Sequence, residues 1–175
     1  KIAIEALNEL GLKKAFLATM ADLEWVPTMV NARHFFYSEF VFNELGNHGN
    51  KPIRVLEIGG GSGTLSILLR RKLEISNYID VDFPEMCIVN YYEQRRFLEK
   101  NHINFVSQFR GSDESTAINK ENDKKLVTYL EPKYFFENYA QLGSFDLILN
   151  THSFQEMDLA IRNRYIDTCC NLLAS

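Results

Sequence analysis

Apolar side chains in the first fifty residues recur at the three- and four-residue steps that are typical of helices. This spacing runs from the first residue to about Met20, and Gly11 separates it into two short helices. After a lapse around Pro27 the spacing resumes and stops at Gly46, a residue type that often ends helices. We therefore expect a helical N-terminal segment over residues 1–50.

The pattern changes after Pro52 to short apolar runs that alternate with helical spacing. Residues 53–58 form a β-branched, apolar run that ends in glycines and is followed by a helical pattern. A second run over residues 78–82 precedes Pro84, which is well placed to open a long helix reaching Asn101. Strand, helix, strand and helix in this order predict an α/β fold, a Rossmann-like, doubly wound and mostly parallel sheet.

Two segments compete for the third strand of this sheet. Residues 103–108 and 126–130 both have strand character, and the polar stretch 111–125 between them has the composition of a mobile surface loop. We favour 126–130 because it lies closer in sequence to the next strand, predicted at 145–150. Residues 159–173 then show helical spacing.

These elements predict two parts of the chain, a helical segment over 1–50 and a Rossmann-like domain over 51–175. The sequence stops soon after the last predicted helix, so we expect the C-terminal strands of the sheet to be missing and the domain to be incomplete at its C terminus.

Composition and charge exclude several classes of protein. The formal net charge of −4 argues against a protein that holds nucleic acid through clustered basic residues. No stretch approaches the roughly 20 apolar residues of a membrane span, and three cysteines imply no disulfide framework. The four histidines have no metal-ligand spacing, so we expect no metal site. These features predict a cytoplasmic protein.

The most informative motif is the glycine cluster that follows the first strand. Gly59, Gly61 and Gly63 alternate, and Glu57 precedes them by two residues. Glycines between a strand and a helix let the backbone turn sharply and let a nucleotide-like ligand approach the helix start. The dinucleotide fingerprint requires glycine at the first, third and sixth positions, and Thr64 stands at the sixth. The pattern instead resembles the first motif of class I S-adenosylmethionine (SAM) dependent methyltransferases.

A second candidate is the acid at the end of the next strand. A carboxylate there can accept both ribose hydroxyls of an adenosine, about twenty residues after the glycines. We prefer Asp82, at the strand end, to Asp80. The alternative for Asp82 is that it caps the helix that Pro84 opens.

The third candidate is the polar stretch after the strand at 145–150. Ligands of open α/β sheets lie beyond the carboxyl ends of the strands, so residues 150–156 should border the site. His152 and Glu156 are candidate bases for a hydroxyl nucleophile. The alternative is that His152 is a hydrogen-bonded loop residue and Glu156 an acid at a helix N terminus.

Taken together, residues 56–61, 81–85 and 150–157 resemble the family of sugar O-methyltransferases, over about 55–165 of the chain. The resemblance implies SAM as cofactor, with Asn150 lining its methionine end. It places the cofactor on Glu57, Gly59, Gly60, Gly61, Gly63, Asp82 and Phe83.

The activity that this resemblance implies is methyl transfer to a hydroxyl of a small molecule, a sugar or glycan precursor. An N- or protein methyltransferase, an NAD-dependent oxidoreductase and a non-catalytic SAM-binding module are the alternatives. The aromatic run Phe35, Phe36, Tyr37 and Phe40 is expected in the core. Its alternative is a helical lid in which Tyr37 reaches the cofactor.

Overall fold

The computed structural model describes residues 2–45, 51–111 and 125–173, with Ile2 and Ala3 described by their backbone alone. Contacts divide the chain into two compact units. One consists of Lys1–Gly49 with Thr64–Leu73, and the other of Asn50–Gly63 with Glu74–Ser175. The domain limits 1–50 and 51–175 stay a prediction, since residues 64–73 group with the N-terminal helices.

Four helices form the first unit. They are α1 (Ile2–Glu9), α2 (Lys13–Leu23), α3 (Met29–Leu45) and α4 (Thr64–Arg70). The first three agree with the predicted helices, and the chain leaves α2 through Glu24, which has a left-handed φ of 59°. Phe16 and Phe35 meet edge to face in the core of this unit, with ring centroids 5.6 Å apart. Burying two such rings supplies much of the apolar contact that holds short helices together.

The aromatic run on α3 corrects one expectation. Phe35 is 1% exposed, but Phe36 and Phe40 are 38% and 58% exposed. Successive helical residues point in directions about 100° apart, so a single buried stripe cannot hold adjacent aromatics. The run as a whole is therefore not core.

Among the described residues, five parallel strands form the centre of the second unit. They are β1 (Ile53–Ile58), β2 (Ile75–Val81), β3 (Phe105–Arg110), β4 (Lys125–Leu130) and β5 (Leu147–Leu149), in the spatial order β3-β4-β2-β1-β5. Glu57 lies opposite Asp80 in the register of β1 and β2. Apolar runs fit this sheet because its strands are covered on both faces.

Both competing segments are strands. The choice of 126–130 over 103–108 as the third strand was wrong in chain order, because 126–130 lies in the fourth strand, β4, which pairs with β2. The segment predicted at 103–108 also forms a strand, β3, at the outer edge beside β4. The strand predicted at 145–150 is shorter, and the predicted mobile loop falls on 112–124, outside the described residues.

One face of the sheet is covered by α5 (Pro84–Lys100). Tyr91 of this helix meets the rings of Phe109 on β3 and Tyr129 on β4, with centroids 5.3 and 6.2 Å away. Tyr129 is almost fully buried. These aromatic contacts hold α5 over the β3–β4 side of the sheet.

The opposite face is covered by α6 (Pro132–Asn138) and α7 (Leu159–Leu172). Phe135 and Tyr165 stack at 5.8 Å and belong to the buried cluster that includes Ile79 and Leu130. Helices therefore cover both faces of a parallel sheet, and the predicted Rossmann-like α/β fold is confirmed.

Candidate functional site

The chain turns sharply where β1 ends. Gly59, Gly61 and Gly63 have φ angles of 74°, 57° and 74°. These angles lie in the left-handed region that only glycine enters without a steric penalty. Every second residue of this segment therefore has the left-handed backbone conformation, which explains the alternate spacing of the glycines. We call residues 59–63 the glycine turn.

Two of these glycines are also fixed by their neighbours. A Cβ on Gly59 would lie 2.2 Å from Oγ of Ser153, and one on Gly63 would lie 2.2 Å from Oδ1 of Asn90. A Cβ on Gly61 would meet no atom within 4 Å. The outer glycines are thus required by packing, whereas the open space beside Gly61 leaves room for a ligand.

Strand-end carboxylates accept hydrogen bonds from this turn. The N–H of Gly60 donates to Oδ1 of Asp80 at 3.0 Å, and the N–H of Gly61 donates to Oδ2 of Asp82 at 2.9 Å. The other oxygen of Asp82 accepts from the N–H of Phe83 at 2.8 Å. Asp82 makes no side-chain cap of α5, whose N-cap residue is Phe83.

A buried polar network lies beneath the turn. Asn90 of α5 donates from Nδ2 to Oδ2 of Asp80 at 2.7 Å, and Gln94 donates to Oδ1 of Asn90 at 2.9 Å. The hydroxyl of Tyr78 donates to Oε2 of Glu57. Buried polar groups need such partners, and these hold Asp80 in one position under Gly60.

The same burial shifts the proton affinity of two carboxyls. Desolvation, followed by the charges of Asp80 and Asp82, raises the pKa of Glu57 well above its ordinary value. Desolvation and the charge of Asp82 raise the pKa of Asp80 to about 7, against hydrogen bonds from Gly60 and Asn90 that lower it. Among the described residues, no ion pair reaches these carboxyls. Burial and mutual charge repulsion therefore favour the protonated forms of both carboxyls beneath the turn.

The segment after β5 is tied to the end of β1. Nδ2 of Asn150 donates to the carbonyl of Ile58 at 2.9 Å and contacts Oγ of Ser153 at 2.6 Å. Oγ of Ser153 donates to the same carbonyl at 3.1 Å. Asn150 therefore lies next to Gly59 and fixes the loop that follows it.

The two candidate bases flank a short 3₁₀ turn, Ser153–Gln155. His152 precedes it, Glu156 follows it, and both side chains are exposed. Glu156 is not at the start of α7, whose N-cap is Asp158. In the described part of the chain, no hydrogen bond joins either side chain to the other predicted site residues. The assignment of a base stays a prediction.

A small cleft of about 110 Å³ lies between the first turns of α5 and the carboxyl ends of β3 and β4. Cys87, Phe109 and Glu131 contribute to its walls. Phe83, at the start of α5, is 66% exposed. An exposed aromatic ring suits contact with a flat ring system.

The sequence interpretation missed the roles of Asp80 and Asn90, and it placed Ser153 in the bordering segment 150–156 without foreseeing its bond to β1. Asp80 was set aside in favour of Asp82, although both bond the glycine turn. A signal was present: an acid between Ile79 and Val81, inside an apolar run, must be buried and needs partners. Ser153 carried no signal, because its role depends on the approach of two distant segments.

No group of three or more His, Cys, Asp or Glu side chains has an arrangement that could hold a metal ion in 2–45, 51–111 and 125–173. None of the helices in these ranges has the length and apolar character needed to cross a membrane.

Comparison with known proteins gives a similarity to solved structures. No family model matches the chain, and no curated protein matches it. Among solved structures, the chain resembles the crystal structure of magnesium protoporphyrin IX methyltransferase (ChlM) from Synechocystis PCC 6803 with bound SAH. The TM-score is 0.52 at 14% sequence identity, over 98% of this chain and 67% of that chain. The chain thus has the fold of a protein that is a methyltransferase.

Proposed function

We propose that this chain is a SAM-dependent methyltransferase acting on a hydroxyl of a small molecule. One observation carries the proposal: the N–H of Gly61 donates to the carboxylate of Asp82 at 2.9 Å. The turn after β1 and the acid after β2 thus meet at the carboxyl edge of the sheet, where α/β folds bind ligands. The fold shared with a methyltransferase supports the same conclusion.

The residues present fit SAM better than a dinucleotide. Gly61 has open space beside it, and Asp82 is only partly buried and can accept hydroxyl hydrogens. Phe83, which precedes Pro84 in the lining of the small cleft, adds an exposed ring. Thr64 stands where the dinucleotide fingerprint has its third glycine. We assign the methionine end of SAM to the neighbourhood of Asn150.

Methyl transfer from SAM requires the protein mainly to position the acceptor. When bound, SAM supplies a methyl group already activated on its sulfonium sulfur. The chain has to hold the acceptor oxygen in line and exclude water. We assign removal of the hydroxyl proton to His152 or Glu156, which lie on the segment tied to β1 by Asn150.

The sugar or glycan precursor as acceptor rests on the resemblance of three motifs to sugar O-methyltransferases. The structural neighbour is by its name a magnesium protoporphyrin IX methyltransferase, and at 14% identity it supports the fold and not the acceptor. We place the activity in the cytoplasm, as the composition predicts.

Calorimetric titration of the chain with SAM, S-adenosylhomocysteine and NAD tests the cofactor. We expect micromolar affinity for the first two, and a loss of at least tenfold in Asp82→Ala, because a carboxylate bonding two hydroxyls is worth about 1.5–3 kcal/mol per bond. Asp167→Ala, which removes an exposed carboxylate on α7, is the matched control. Binding of NAD alone, or of none of the three to folded protein, would contradict the proposal.

The base is tested by turnover on a panel of sugars once SAM binding is established. His152→Ala or Glu156→Gln should lower turnover by about 10²- to 10⁴-fold with SAM affinity unchanged. If both variants lose only SAM affinity, neither residue is the base. Methylation of amines or proteins, with no sugar methylated, would refute the hydroxyl assignment while leaving the cofactor assignment intact.

A further inference from the structure

The helical unit contains a groove between α1 and α3 that the glycine turn does not involve. Its volume is about 430 Å³, within the range of about 300 to 1,000 Å³ that is usual for small-molecule pockets. Leu7 and Leu10 line one side, and Met29, Val30 and Phe36 line the other. The groove is thus wide enough for one small organic molecule.

The walls of this groove are apolar and open to solvent. Leu10, Met29 and Val30 are 57%, 60% and 49% exposed. Contiguous exposed apolar surface is unfavourable in water and commonly marks a binding site. A hydrocarbon chain or ring placed here would remove these side chains from water.

Arg33 is the one charged residue among the described residues that line the groove. Its Nε is buried and has no hydrogen-bond partner among the described residues. No acidic side chain of the described ranges forms an ion pair with it. Arg33 thus places a positive charge without an acidic partner in an apolar wall, and such a guanidinium is complementary to an anionic oxygen, which Arg binds with strong, directional hydrogen bonds.

We propose that this groove binds an amphipathic monoanion, an apolar molecule that carries one carboxylate. The hydrocarbon part lies against Leu7, Leu10 and Phe36, and the carboxylate accepts from Arg33. A neutral or cationic apolar molecule leaves the positive charge of Arg33 without a counter-ion, so it binds more weakly. The proposal does not rest on the proposed methyltransferase activity, since none of the lining residues belongs to the glycine turn.

The test is titration of the whole chain, without SAM, with decanoate, decanol and decyltrimethylammonium, followed by calorimetry. We expect decanoate to bind at least tenfold more tightly than either of the others. Arg33→Gln should reduce decanoate affinity by at least tenfold and leave decanol unchanged, because one charge-assisted contact is lost. Arg162→Gln on α7 is the control for loss of a positive charge elsewhere.

A second variant keeps the test decisive if Arg33→Gln does not fold. Ala6 is exposed and lines the groove, so Ala6→Phe should fold, fill the groove and weaken decanoate and decanol alike. Equal binding of decanoate and decanol by the wild-type chain would overturn the proposal. So would no decanoate binding at all, or decanoate binding that Arg33→Gln and Ala6→Phe leave unchanged.

Discussion

Asp80 offers a direct test of the electrostatics beneath the glycine turn. Its carboxyl is fully buried, and burial with the neighbouring Asp82 raises its pKa from 3.8 to about 7. The folded chain therefore keeps a proton that the unfolded chain has released, so stability falls as pH rises between these two values. Replacing Asp80 with Asn removes the ionisable group and should flatten that part of the pH dependence.

The size of the effect follows from the two pKa values. Each pH unit between them costs the folded state about 1.4 kcal/mol, and the loss tapers as the carboxyl becomes half ionised near pH 7. From about pH 5 to about pH 7 the Asp80 carboxyl should cost the wild-type chain about 2 kcal/mol. Removing the charge of Asp80 also lowers the pKa of Glu57. This change makes stability depend still less on pH in the variant.

Urea unfolding at both pH values measures this difference in wild type, Asp80→Asn and Asp167→Asn. The new asparagine keeps an oxygen that accepts from the N–H of Gly60. Its contact with Asn90 is altered, but this loss of stability is the same at both pH values and leaves their difference unchanged. Asp167 is exposed on α7, so its variant should behave as wild type. An Asp80→Asn chain that loses as much stability as wild type between the two pH values would refute the reasoning.

Three further predictions concern the turn, the segment after β5 and the cysteines. Gly63→Ala should cost at least about 2 kcal/mol in chemical denaturation, because its φ is +74° and the new methyl group would lie 2.2 Å from Oδ1 of Asn90. Adding Asn90→Ala should recover part of that loss. Asn150→Ala should cost about 1–3 kcal/mol, since its amide bonds the carbonyl at the end of β1; an unchanged melting temperature would argue against it. Cys87, whose pKa burial raises to about 12, should resist alkylation near pH 8 while the exposed Cys170 reacts, as mass spectrometry against denatured chain can show.

Local patterns predicted those elements whose cause is local. The apolar run 53–58 became β1 with the same limits, and Pro84 opens α5 as expected. Gly11 and Gly46 indicated where helical spacing is interrupted, because a glycine has no apolar side chain to continue the pattern. These features depend on residues a few positions apart, so the sequence alone reveals them.

Elements that depend on distant partners were harder to predict. β3 is a strand because it pairs with β4 at the sheet edge, and its own residues are mostly half buried. The helix α6 passed unnoticed, although Pro132 opens it and Tyr134 and Phe135 are its buried side. Seven residues are too few to display a clear helical period.

Within the candidate site, the sequence brought out the glycines and Asp82 but not the support beneath them. Asp80 matters because Asn90, ten residues later on α5, comes within hydrogen-bond distance of it. Ser153 matters because its Oγ reaches the carbonyl of Ile58, 95 positions earlier. Neither approach can be inferred before the sheet order and the packing of α5 are known.

The pKa values of Glu57 and Asp80 are raised by burial beneath the glycine turn, and no basic side chain of the described ranges forms an ion pair with either carboxyl. A ligand that brings positive charge to the turn would stabilise their ionised forms and release part of a proton to the solution. The heat of binding would then contain the protonation heat of the buffer. Calorimetric titrations in buffers of different ionisation enthalpy would measure the number of protons released on binding. The affinity for a cationic ligand would increase with pH.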